Sequence, residues 1–118
     1  MPERDWTLFL KDIQMHAKRI HTYTKTLSMK EFFKDSKTYD AVMRNIQIIG
    51  EAIKHLPVDV RKEYKNIDWK KAAGLRDIVV HEYFGINKEI IWDVIKNKIP
   101  ELEKEVKKIL KDIKRNDF

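Results

Sequence analysis

Trp6-Thr7-Leu8-Phe9-Leu10-Lys11-Asp12-Ile13-Gln14-Met15-His16-Ala17-Lys18-Arg19-Ile20-His21-Thr22-Tyr23-Thr24-Lys25-Thr26-Leu27 sets Trp6, Leu10, Ile13, Ala17, Ile20, Thr24 and Leu27 at alternating four- and three-residue steps. Side chains three and four apart share one face of an α-helix, so the stripe predicts a helix over about 5–27. Phe9, His16 and Tyr23 widen the stripe, while Lys11, Lys18, Arg19 and Lys25 supply the wet or phosphate-facing side.

The same period recurs along the chain. Ser28 with Glu31 three residues later reads as a capping box, and Phe32 and Phe33 are expected to seal one end of a bundle. A second long helix is expected over 36–56, with Tyr39, Val42, Ile46, Ile49, Ile53 and Leu56 facing inward and Pro57 ending it. Residues 58–66 read as a connector with about one helical turn. Asp68 suits the N-cap of a helix over 69–84, and Gly85 its C-cap. Asn87 is expected to cap the last helix, which buries Ile90, Ile91, Val94, Ile95, Ile99, Leu102, Val106, Ile109, Leu110 and Ile113, and which Pro100 should kink or break. Short connections between long helices predict an all-α, up-and-down bundle of four main helices.

Composition agrees. At 118 residues the chain is expected to form one domain over 1–118. With three Gly and three Pro it is short of the turns that a β-sandwich needs. Without cysteine, disulfides and thiolate metal sites are excluded. Met1-Pro2-Glu3-Arg4-Asp5 lacks the apolar run of a signal peptide, and no stretch approaches a membrane span, so a cytoplasmic location is expected. A net charge of +6 fits a phosphate polyanion as partner, although a lysine-rich solubility surface would give the same figure.

The stretch Gly74-Leu75-Arg76-Asp77-Ile78-Val79-Val80-His81-Glu82-Tyr83-Phe84-Gly85 carries the chemistry. At ~100° per residue, Trp69, Arg76, Val80 and Tyr83 share one stripe. Leu75 and Ile78 point roughly the other way, and Asp77 and His81 lie one turn apart in a third direction. A helix with apolar groups on opposite sides is expected to be covered on both, in a chain this short by another subunit. Arginine and histidine are costly to bury, so here they are either paired or at work.

Arg76, four residues, His81, one residue and Tyr83 resemble the Arg-x4-His-x-Tyr signature of HepT-like toxins, members of the HEPN group of small helical ribonucleases. Ile48-Ile49-Gly50-Glu51-Ala52, the Trp69 segment, and the run from Val94 to Leu102 containing Pro100 are similar as well, so the resemblance spans essentially the whole chain. It implies the same helical fold, a symmetric homodimer, and metal-independent cleavage of RNA, with tRNA the expected substrate. It also implies a partner, a minimal nucleotidyltransferase antitoxin that attaches AMP to the motif tyrosine, here Tyr83.

The residue types suit that reaction. Cleavage without metal needs a base for the 2′-hydroxyl, an acid for the 5′-oxygen, and a cation for charge growing on the phosphate. His81 fits general acid or base, Arg76 fits phosphate clamp, and Asp77 one turn before His81 can orient its ring. The dipole at the helix C-terminus and Asp77 favour imidazolium, and Arg76 opposes them. Asp77 stands where many relatives have asparagine. On a straight helix, Arg76 and His81 diverge by ~140°, so one protomer makes a poor site. Two copies face to face cure this, each supplying one histidine and one arginine to a shared cleft.

Other readings stand beside these. Arg76 can be a structural cation paired with Glu51 or Asp77, and under the catalytic reading Glu51 becomes a supporting partner. Tyr83 can be a structural phenol. His16, His21 and His55 lack partners at recognisable spacing and read as structural or exposed. No metal or cofactor is expected, because His81-Glu82 meets Gly85 where a helical zinc pair needs a second histidine. A different class of function is a non-catalytic helical adaptor that binds a nucleotidyltransferase.

Overall fold

The computed structural model describes residues 4–75, 77 and 88–116, and every regular element among them is helical. In chain order these are α1 (Arg4–Thr24), α2 (Met29–Lys34), α3 (Ser36–Lys54), α4 (Val58–Glu63), α5 (Trp69–Ala73), α6 (Lys88–Asp93), a π-helical segment (Val94–Lys98) and α7 (Ile99–Asn116). None of the described helices is long and apolar enough to cross a membrane.

α1 packs against α3 and α7, and its stripe forms the seam. Leu10, Ile13, Ala17 and Ile20 are fully buried against Val42, Ile49 and Ile53 of α3 and Val106 of α7 in one apolar cluster. Each large aliphatic side chain so buried contributes ~1.5–3 kcal/mol relative to exposure. One polar pair crosses this seam. Asn45 donates from Nδ2 to the Ala41 carbonyl at 2.7 Å, which turns its Oδ1 toward His16. An amide oxygen only accepts, so His16 Nδ1 carries the hydrogen of their 2.6 Å bond. His16 is therefore structural, one of the two readings its spacing left open.

The helix ends have local causes. Thr24 donates back to the Ile20 carbonyl at 2.8 Å, and α1 stops there, three residues before the expected limit. Lys96 reaches the Thr24 carbonyl at 3.1 Å, placing a cation on that helix end. The capping box is present: Ser28 N–H donates to Glu31 at 2.9 Å, and Glu31 N–H to the Ser28 hydroxyl at 3.1 Å. Phe32 is fully buried and meets Phe33, Tyr39 and Trp92 at ring separations of 4.9, 5.6 and 5.6 Å. That aromatic cluster ties α6 to α2 and α3.

Two expectations are corrected and one is narrowed. Of the kink or break expected at Pro100, there is no break: the helix departs from α geometry just before it and continues. The proline ring would collide with the carbonyl four residues back, and the widened π turn before it removes that conflict: Ile99 N–H donates to the Val94 carbonyl, five residues earlier. Tyr23 and Ile90 do not face inward, being 42% and 50% exposed. Tyr23 lies ~80° round α1 from the Ile20–Thr24 seam, and Ile90 ~90° from the mean direction of Ile91, Val94 and Ile95. The expected helix over 69–84 is interrupted at Gly74 as far as it is described. α5 ends there, Gly74 N–H donates to the Lys70 carbonyl at 3.1 Å, and Asp77 N–H reaches back only three residues, to Gly74 at 3.0 Å. A methyl group on Gly74 would sit 3.2 Å from the Lys71 carbonyl, tighter than an ordinary contact.

Candidate functional site

The approach to the Arg76–Tyr83 segment is built by α5 and the connector ahead of it. Asp68 caps α5 by accepting from the Lys71 N–H at 3.1 Å, as its position predicts. Trp69 is buried on the α3 side, and its indole N–H donates to the Tyr64 carbonyl at 2.9 Å. The Tyr64 hydroxyl in turn donates to Asp112 Oδ2 of α7 at 2.7 Å. A chain of two hydrogen bonds thus runs from α7 through the connector to the first residue of α5. Leu75, just past the Gly74 turn, is 7% exposed and joins the same apolar cluster as Trp69. On an unbroken helix these two would stand ~120° apart. The tightened turn lies between them.

The segment is also anchored where it returns. Ile91 is buried, Trp92 packs on Phe32, and Lys88 sits over the Phe33 ring at 5.4 Å from its centroid. Both flanks are therefore held by aromatic residues seated in the core.

Of the candidate site residues, Asp77 and Glu51 are described. Asp77 is helical and exposed, and Glu51 is half-buried on α3, the helix against which α5 packs. Arg76, His81 and Tyr83 lie outside the described residues, as do Gly85, Asn87, Val80 of the expected Arg76 stripe and Ile78 of the face expected opposite it. The expected pairings of Arg76 with Glu51 and of His81 with Asp77 fall outside them too. Among the described residues no group of three His, Asp or Glu is placed to hold a metal ion.

The Tyr64–Asp112 bond, 48 residues apart in sequence, has no local signal that could have announced it. Burial, with the Asp112 carboxylate second, pushes the Tyr64 phenol from its ordinary 10 up to about 12. Because the folded value is the higher one, the stabilisation is full below pH ~10 and is lost as pH rises through about 12. Tyr64→Phe is expected to cost ~1 kcal/mol in urea unfolding near neutral pH, the low end suiting a partly exposed pair. It should also remove the latest step of tyrosinate absorbance in an alkaline titration of the folded protein. Loss of a step near pH ~10 instead of the latest one would show that Tyr64 is not held buried against Asp112.

Comparison with known proteins places this chain among ribonucleases. A family model described as "Ribonuclease HepT-like" matches residues 13–109. A Methanocaldococcus jannaschii protein named "Putative RNase" is 47% identical over 117 residues, covering 99% of this chain and 97% of the relative. A protein of Caldanaerobacter subterraneus with the same description is 43% identical over 102 residues, 86% of this chain and 91% of its own. A Thermococcus cleftensis protein named "Probable ribonuclease HepT" is 35% identical over 103 residues, 87% of this chain and 94% of its own. No solved structure gives a significant match.

Proposed function

Because the chain belongs to the HepT-like ribonuclease family, we propose that it is an endoribonuclease toxin that cuts RNA, with tRNA as the substrate to test first, without a metal ion, as a symmetric homodimer. What carries this reading is Arg76-x4-His81-x-Tyr83 standing inside the matched residues 13–109, on a segment whose two flanks are anchored in the core. A base takes the proton of the 2′-hydroxyl, whose oxygen attacks the adjacent phosphorus. The bond from phosphorus to the 5′-oxygen breaks, and that oxygen takes up a proton from an acid. The products are a 2′,3′-cyclic phosphate and a 5′-hydroxyl. His81 of each protomer serves one of the two proton transfers, Arg76 meets the charge on the phosphoryl oxygens, and Asp77 and Glu51 act as orienting partners.

The test is incubation of the purified chain with bulk tRNA in excess EDTA. Fragments are expected whose 5′ ends accept phosphate from a kinase without prior dephosphorylation. RNA that stays intact with a folded, unmodified protein, or that is cut only when divalent ions are restored, would sink this reading in favour of a helical adaptor.

Regulation follows from Tyr83. A minimal nucleotidyltransferase partner would transfer AMP from ATP to its hydroxyl, the phenol losing its proton and pyrophosphate leaving, which adds bulk and negative charge where the RNA phosphate must sit. Co-expression with such an enzyme is expected to raise the intact mass by one or more AMP units and silence the nuclease. Tyr83→Phe should stay unmodified and active, and modification persisting in that variant would place the AMP elsewhere.

A further inference from the structure

The outer face of α1 takes no part in the packing described above. Its inner face, Leu10, Ile13, Ala17 and Ile20, is fully buried. Opposite, Leu8 is 57% exposed and Met15 42%, and Tyr23 at the edge is 42% exposed. Among the described residues, three of the five large apolar side chains that stand exposed are on this one helix, so the patch is concentrated rather than scattered.

Cations are interleaved with these groups. Lys11, Lys18 and Arg19 are all exposed. At ~100° per residue they share with Leu8, Met15 and Thr22 an arc of ~100° centred away from the core. No carboxylate falls inside that arc, and Asp12, half-buried, lies just beyond its edge. Lys11, Met15, Lys18, Arg19, Thr22 and Tyr23 line an open depression of about 400 Å³, at the small end of ligand-binding pockets. From Lys11 to Tyr23 the strip runs roughly 18 Å along the helix axis.

A second copy of the chain is a poor occupant. A two-fold contact through this face would set Lys11, Lys18 and Arg19 against the same three cations of its partner. A polyanion is a good one. Strand phosphates can follow the cations, and unpaired bases can stack on the phenol and the thioether, the pairing used by single-strand binders. We propose that the outer face of α1 is a docking strip for single-stranded RNA, made of residues other than those of the Arg76-x4-His81 motif. This rests on the ribonuclease reading for the identity of the polyanion.

The test uses the full chain carrying Arg76→Ala, so that RNA stays intact, and a fluorescein-labelled 20-nucleotide oligouridine followed by anisotropy over a range of salt. Lys11→Gln, Lys18→Gln and Arg19→Gln together should flatten the slope of log affinity against log salt by about 2, at ~0.7 per phosphate contact. Tyr23→Ala should weaken binding about ten-fold. All four positions are exposed, so unchanged thermal unfolding is expected and serves as the folding control. Wild-type affinity and slope in both variants would overturn the proposal. So would a Met15→Glu chain that sediments at half the original mass while binding the oligomer as before, since the face would then join two copies. Cleavage of tRNA by the chain with Arg76 in place is read separately. Strip-dependent binding without cleavage removes the nuclease and keeps the strip, whereas cleavage with strip-independent binding removes the strip and keeps the nuclease.

Discussion

His81→Ala is expected to slow RNA cleavage by about 10²–10⁴-fold, the usual worth of a positioned general acid or base. Arg76→Ala should cost about 10²–10³-fold, the effect of removing a group aimed at developing charge. At 1.36 kcal/mol per decade, these are barrier increases of ~3–5 and ~3–4 kcal/mol. Arg76→Lys separates charge from shape. It keeps the cation but loses the fork that meets two phosphoryl oxygens at once, so most of the defect should persist. The measurement is single-turnover cleavage of tRNA in EDTA, with enzyme in excess so that binding does not limit the rate. Thermal unfolding of each variant excludes a trivial loss of fold. If Arg76→Ala and His81→Ala cut at the wild-type rate while folded, the motif is structural and the nuclease, if there is one, lies elsewhere.

The long helices were legible because their faces are written locally. Leu10, Ile13, Ala17 and Ile20 recur at helical spacing, and all four are buried. Ser28 with Glu31, and Asp68 before Trp69, are caps that need only three residues of context, and both form. Partners are another matter. Periodicity puts His16 and Thr24 on or beside the inner stripe and is silent on Tyr64, and it does not say that the three meet Asn45, Lys96 and Asp112, which lie 29, 72 and 48 residues away. Residues at the edge of a stripe fail for a related reason: Tyr23 and Ile90 are apolar enough to be counted inward, yet lie far enough round their helices to stay wet. Backbone exceptions escape as well. Gly74 and Pro100 each announce an irregularity, but whether the helix tightens, widens or stops depends on what packs beside it. At the candidate site, Arg76, His81 and Tyr83 were singled out by a family resemblance in which their spacing and the flanking stretches agree. The scaffold that holds their segment, from Asp112 through Tyr64 to Trp69, was not recognisable from it.

Mixing protomers tests the shared cleft more sharply than any single substitution. If one scissile phosphate needs an acid and a base, and each is the histidine of a different protomer, a dimer with one His81→Ala chain is as impaired as one with two. Let wild type be mixed with a nine-fold excess of His81→Ala and the subunits allowed to re-pair at random. About one dimer in a hundred then keeps both histidines, although about one chain in ten is wild type. Activity per wild-type chain is therefore expected to fall about ten-fold, and the dilution curve to follow the square of the wild-type fraction. Sites contained in one protomer give a straight line instead, with no loss per wild-type chain. A monomer gives the same line, and sedimentation would identify it. The squared dependence is expected from the sequence reading: on a straight helix positions 76 and 81 would stand ~140° apart, so bringing both groups to one phosphate would call for a second protomer. A linear curve from a chain that sediments as a dimer would mean that Arg76 bends around its own helix to reach His81, and the two-fold site would have to be given up.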